Sequence, residues 1–309
     1  MKIIRDEVDE NKYLKNNYFG LEVEALKLSK DMFYQKGKDS IAFNTRIIET
    51  AGTFFEDAFQ LTNKERFRDK FLEAISGDGG ELTKMDALHS SSLCALLCFY
   101  NVSKAHPIKY EGIEYTDSYF EVKNKVYDNP SNMDVVLTSK NGAILFIECK
   151  FSEYIKSDSY KLKDKYIEDY GSVFERLKYN SLKGMYKTGL KQLVAHHKGL
   201  CNFIDGMNNE KYKEEMSHYY EDEDKRVDLY NKPFRKVSFI EVIYELKDDK
   251  NNKKFDAYHS KAKEVIDLLK TTDDRLQLYE PITYQDLFSG DNANVLDDKV
   301  KAYYRLGVK

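Results

Sequence analysis

The chain has 309 residues, enough for one large domain or two small ones, with 41% hydrophobic and 33% charged residues and only 4 Pro. A net charge of −4 excludes a wholly basic, nucleic-acid-coating protein but allows a local basic surface, because phosphate affinity comes from clustered Lys and Arg. No run of about 18 apolar residues is present, so no membrane span is expected.

The first twenty residues are rich in Lys, Asp, Glu and Asn and lack the apolar centre of a signal peptide. Cys94, Cys98, Cys149 and Cys201 form no CxxC pair, so neither a zinc site nor a disulfide framework is expected. A reducing, cytoplasmic location follows as an expectation. No glycine-rich nucleotide loop is present, which speaks against hydride or phosphoryl transfer.

In chain order, Leu21 to Ser76 reads as helical. Ile47, Ile48, Ala51, Phe54, Phe55, Ala58 and Phe59 recur at three and four, as one helix face does. Ser76-Gly77-Asp78-Gly79-Gly80 breaks the pattern. A second helix is expected from Ser90 to Tyr100, capped within His89-Ser90-Ser91-Ser92, with Cys94 and Cys98 as small core residues. Strands are expected over Tyr119–Val126, Met133–Thr138 and Ala143–Phe151. The third is almost continuously apolar, as strands buried on both faces are. Ser152 to Lys187 is a polar, Tyr- and Lys-rich insertion. A helix over Leu190–Leu200, a strand over Val237–Leu246 and a helix over Ala262–Lys270 complete the pattern, with Glu221-Asp222-Glu223-Asp224 as a solvated acidic run. The expected class is α/β with a mixed sheet. One domain, 1–309, is expected, comprising an N-terminal helical subdomain (1–76), a core (77–246) and a C-terminal extension (247–309).

Charge is distributed unevenly along this plan. From Lys140 to Lys198 there are 12 basic and 7 acidic residues, while the chain as a whole is acidic. Inside that stretch the apolar strand Leu145-Phe146-Ile147-Glu148-Cys149-Lys150-Phe151 carries two charges at alternate positions, which share a face. Ionised groups in so apolar a strand need a partner or a metal. Asp134, in the preceding strand Asn132-Met133-Asp134-Val135, supplies a second carboxylate. Two carboxylates suffice for Mg²⁺, which keeps several waters, and the Cys149 carbonyl is a candidate third ligand.

An Asp after a Pro-containing turn, followed by Glu-x-Lys on an apolar strand, resembles the PD-(D/E)XK nuclease superfamily. Pro130 stands four positions before Asp134, so the literal Pro-Asp pair is absent. The resemblance implies a restriction-endonuclease-like αβββαβ core with a helical N-terminal extension. It implies a metal (Mg²⁺ or Mn²⁺) held by Asp134, Glu148 and Cys149, with Lys150 assisting the attacking water. It also implies a helix-borne Gln, for which Gln192 in Lys191-Gln192-Leu193 is the match; His196, four residues on, shares its helix face. Glu81 and Glu56 are candidates for the helix-borne acid that some relatives carry. The implied activity is Mg²⁺-dependent hydrolysis of double-stranded DNA, of a restriction or defence type, by a possible homodimer. A repair or RNA nuclease, or an inactive DNA-binding protein of the same fold, are the alternatives.

The turn Ser139-Lys140-Asn141-Gly142-Ala143 decides whether the two carboxylates meet. A two-residue Asn-Gly turn would place Asp134 opposite Cys149 and turn it away from Glu148, since a one-residue slip exchanges the faces of a strand. A three-residue loop with Gly142 in the left-handed conformation would place Asp134 opposite Glu148. The shared site therefore requires the longer loop or a bulge near Asp134.

Overall fold

The computed structural model of the protein describes residues 2–3, 20–35, 41–45, 51–77, 80–155, 164–176, 188–221, 224–246 and 249–307. Ile47, Ile48, Asp78, Gly79, Lys156, Lys161, Lys163, Lys187, Asp222 and Glu223 lie outside them. The chain forms two compact units. One comprises Met1–Glu121, Tyr244–Asp248 and Thr283–Lys309, and the other Val122–Ile243 and Asp249–Ile282.

The first unit departs from the all-helical expectation for Leu21–Ser76. Strands β1 (Lys2–Ile3), β2 (Phe33–Gln35) and β3 (Ile41–Phe43) form an antiparallel sheet. The reason is local: Phe33-Tyr34-Gln35 and Ile41-Ala42-Phe43 are short aromatic and β-branched runs, which favour a half-buried pleated surface over a helix. Upstream of Ala51 the described helical structure is two short 3-10 turns, Val23–Leu26 and Lys30–Met32, and the α-helices are α1 (Ala51–Ala58), α2 (Lys64–Ile75), α3 (Glu81–Met85) and α4 (Ser91–Phe99). Ser90 caps α4 by accepting from Leu93 N, as its sequence predicts. The core is aromatic, with the Phe43 ring 5.6–6.2 Å from those of Phe54, Phe55, Phe59 and Tyr303. A short hairpin of β4 (Ile108–Tyr110) and β5 (Ile113–Tyr115) also belongs here.

The second unit is built on a mixed sheet of order β10-β9-β8-β7-β6. Its strands are β6 (Asp117–Lys125, from Val122 onward in this unit), β7 (Pro130–Thr138), β8 (Ala143–Lys150), β9 (Lys236–Ile243) and β10 (Leu276–Leu278). β7 and β8 are antiparallel, whereas β8–β9 and β9–β10 are parallel. Every residue of β8 is buried, as its apolar run predicts. Helices α5 (Asp164–Arg176), α6 (Thr188–Gly206), α7 (Glu210–Ser217), α8 (Asp228–Asn231) and α9 (Asp249–Leu269) belong to the same unit. The fold is thus α/β with a mixed sheet and flanking helices.

Helix α6 lies on the face of β8 that carries the even-numbered residues, with the Phe146 and Phe203 rings 5.2 Å apart. Its Gly199 permits close approach, since a β-carbon there would sit 3.1 Å from Asn124 Cβ. Helix α9 starts thirteen residues before the expected Ala262. Its polar first turns hide the start, yet Phe255, Tyr258, Ala262, Val265, Ile266 and Leu269 are all buried at helical spacing. Among the described residues no helix is long and apolar enough to cross a membrane.

Candidate active site

The β7–β8 turn is the three-residue loop. Ser139 N donates to Ala143 O at 2.9 Å, and Gly142 has φ +77°. The ladder pairs Thr138 with Ile144 and Val135 with Ile147, the register in which the next positions along the two strands are Asp134 and Glu148. On the other side of β8, Glu148 pairs with Glu241 of β9 and Lys150 with Ile243. Three adjacent strands therefore bring Asp134, Glu148 and Glu241 to one face, with Glu148 in the middle and Lys150 two residues beyond it.

The helices close this face. Lys150 Nζ donates to Glu148 Oε1 and, at 2.8 Å, to Gln192 Oε1 of α6. His196, one turn on, places Nε2 2.8 Å from Glu148 Oε2. Its Nδ1 is 2.6 Å from Ser131 Oγ. From α9, Tyr258 donates its hydroxyl to Glu241 Oε1 at 2.7 Å. Asp134 Oδ2 accepts from Cys149 N at 2.7 Å, which ties β7 to β8 beyond the Val135–Ile147 pair. The Cys149 side chain is buried on the opposite face, as alternation requires. Glu153 accepts from the Phe151 and Ser152 amides, and its charge bears on Lys150.

Burial is nearly complete: Glu148 is 2% exposed, Lys150 4%, His196 2% and Glu241 0%, whereas Asp134 is only half-buried. Burial alone would push the Glu148 carboxyl up, but Lys150 and His196 outweigh it and hold the group well below the usual carboxylate range. Burial likewise works against the Lys150 ammonium, and the surrounding Glu148, Glu153, Asp134 and Glu241 more than restore it. Glu241 behaves oppositely. Burial pushes its carboxyl up to about 8, helped by the charges of Glu148 and Glu153 and opposed by Lys150 and the Tyr258 hydrogen bond. The cluster thus combines an ionised carboxylate, an ammonium and a carboxyl that is neutral through most of the physiological range.

A cleft of about 370 Å³ opens beside this cluster, lined among others by Tyr127, Pro130, Ser131, Lys165, Lys191 and Gln192. Ser131 and Gln192 are the residues that hold His196 and Lys150, so the cleft reaches the site from the side of its two helix-borne groups.

Glu241 is the residue that reading the sequence missed. Its signal was a lone acid inside the apolar run Phe239-Ile240-Glu241-Val242-Ile243, the same signal that singled out Glu148. The helix-borne acids considered instead are engaged in the first unit. Glu56 is paired with Arg68 through two contacts of 2.7 and 2.9 Å, and Glu81 with Lys84 and Ser92. Among the described residues no group of three or more His, Cys, Asp or Glu is arranged to hold a metal ion. The donors nonetheless suit a hard cation. Asp134 and Glu148 offer oxygens from adjacent strands, and Glu241 Oε2 is buried without a hydrogen bond, a state that costs free energy until a partner is found.

No protein-family model, curated protein or solved structure matches this chain.

Proposed function

We propose that the protein is a metal-dependent nuclease with a restriction-endonuclease-like core, hydrolysing phosphodiester bonds of double-stranded DNA at the face formed by Asp134, Glu148 and Lys150. The observation that carries this reading is the way the three residues are joined: Asp134 Oδ2 accepts from the Cys149 amide, between Glu148 and Lys150, and Lys150 donates to both Glu148 and Gln192. With β4, β5, α5, α7 and α8 counted as insertions, the element order α4, β6, β7, β8, α6, β9 supports it as well.

In this reading Asp134 and Glu148 hold Mg²⁺ or Mn²⁺, with the Cys149 carbonyl as a further oxygen. The bound cation would supply Lewis acidity and a water of lowered pKa. Lys150 orients the attacking water and counters charge on the phosphate as the 3′ oxygen leaves. Gln192 fixes the direction of the Lys150 ammonium, and the burial of the cluster strengthens each of these electrostatic contacts. Lys191 and Lys165, on the wall of the cleft, give a phosphate backbone cationic neighbours. A symmetric duplex cut needs two such sites, so a homodimer acting in the cytoplasm belongs to the same proposal.

The test is incubation of the purified protein with duplex DNA, single-stranded DNA and RNA in Mg²⁺, Mn²⁺ or EDTA. Divalent-dependent cleavage of duplex DNA that Glu148→Gln abolishes supports the reading. Absence of cleavage under every condition, or cleavage unchanged in EDTA, refutes it.

A further inference from the structure

We infer that Glu241 is a positioning residue: it is the partner that receives the Lys150 ammonium when a cation takes Glu148. This rests on the proposed nuclease site and adds to it a residue from a strand that carries none of the three motif positions.

Three observations lead there. First, Lys150 occupies the group that a cation needs. Its Nζ is bonded to Glu148 Oε1, so cation binding must displace an ammonium that is 4% exposed. A buried charge that loses its partner is costly unless another is in reach. Second, Glu241 is in reach. Nζ is bonded to Glu148, Glu148 pairs directly with Glu241, and the Glu241 charge already bears on Lys150. Adjacent strands lie about 4.8 Å apart, so the ammonium needs to move sideways by roughly one strand spacing. Third, both partners have capacity for the contact. An ammonium has three donors, of which Glu148 and Gln192 take two. Glu241 Oε2 is fully buried with no hydrogen bond, while Oε1 is fixed by the Tyr258 hydroxyl; the carboxyl releases its proton to solvent as the ammonium takes Oε2.

The exposure gradient gives the motion a direction. Asp134 is half-buried and Glu241 is 0% exposed, so a hydrated cation enters beside Asp134 and the ammonium moves inward. Gln192 accepts from Lys150 in the cation-free state and sits beside the cleft, where it can follow the ammonium without leaving α6. Glu241 therefore sets how readily the site accepts a cation, and where Lys150 stands afterwards, without touching the cation itself.

Binding of Mn²⁺ alone, measured by electron paramagnetic resonance on the full chain without nucleic acid, tests this. The set is wild type, Glu241→Gln, Lys150→Met and the double variant. Glu241→Gln should weaken Mn²⁺ affinity about tenfold, within the usual range of coupling between two sites. Lys150→Met should strengthen affinity, because Glu148 is then free. In that background Glu241→Gln should change affinity by less than about twofold, since the ammonium it served is gone. Equal weakening in both backgrounds would make Glu241 a cation ligand and overturn the inference, as would no weakening in the wild-type background. Tyr258→Phe, which releases Glu241 Oε1 but keeps the carboxyl, should show the same pattern in weaker form and replaces Glu241→Gln should that variant not fold. Wild type that takes up no Mn²⁺ removes the nuclease reading as well, whereas Mn²⁺ binding with additive variants removes only this inference.

Discussion

Replacing Glu241 by Gln should change the pH dependence of stability more than stability at acid pH. Burial carries the Glu241 carboxyl from its ordinary 4.5 to about 8. At ~1.36 kcal/mol per pH unit, that displacement corresponds to a ceiling of about 5 kcal/mol, and relaxation around the group brings a realistic figure to roughly 3–5 kcal/mol. The sign follows from proton binding. A carboxyl raised in the folded state binds its proton more tightly there than in the unfolded chain. Its contribution is therefore fully present below 4.5, is lost as pH rises toward 8, and is constant above that. Gln keeps an acceptor for the Tyr258 hydroxyl and has no proton to lose. In urea titrations with EDTA at pH 5 and pH 9, the difference between variant and wild type should move in favour of the variant by several kcal/mol. Parallel stability profiles across that range would refute the assignment of Glu241 as a buried, neutral carboxyl.

Lys150→Ala and Glu148→Gln should each reduce DNA cleavage by at least about a hundredfold while leaving DNA binding largely intact, read by single-turnover assays and gel shifts; full activity in either would exclude the site. DNA affinity should fall as salt rises, and Lys165→Ala with Lys191→Ala should flatten the log–log slope by about 1 to 2 if both touch phosphate; an unchanged slope would move the binding surface away from the cleft. Gly142→Ala should cost about 1–2 kcal/mol, because φ is +77° there; an unaffected urea midpoint would contradict the left-handed turn. In the first unit, Phe43→Ala should cost about 3–5 kcal/mol, since five aromatic rings pack on Phe43; a loss under about 1 kcal/mol would contradict that core.

The sheet of the second unit was legible because its strands have a strong, simple pattern. The run Ala143–Lys150 is apolar enough to be buried throughout, and period-two alternation then assigns Glu148 and Lys150 to one face. Turn chemistry supplied the rest: Asp134 and Glu148 can share a face with the longer loop at Gly142 or with a bulge near Asp134, and the chain adopts the longer loop. Gln192 was legible through the resemblance, and His196 through its helical spacing from Gln192. Glu241 was not found, although its strand shows a lone acid in an apolar run, because the motif directed attention to helix-borne acids at Glu56 and Glu81. The small sheet β1–β3 was not legible because its strands are two or three residues long. Such strands are too short to show a period, and the strong helical face of Ala51–Phe59 extended the reading too far upstream. The start of α9 was hidden because its first turns are polar and the buried stripe begins only at Phe255.

The central claim is that Asp134, Glu148 and Lys150 form a cation-dependent phosphodiesterase site. The most direct measurement follows cleavage of a supercoiled plasmid by wild type and Glu148→Gln as Mg²⁺ or Mn²⁺ is titrated from an EDTA-treated start. The account predicts nicked or linear product that appears only with divalent cation and only with wild type. Product that forms equally in EDTA, or equally with Glu148→Gln, would contradict it.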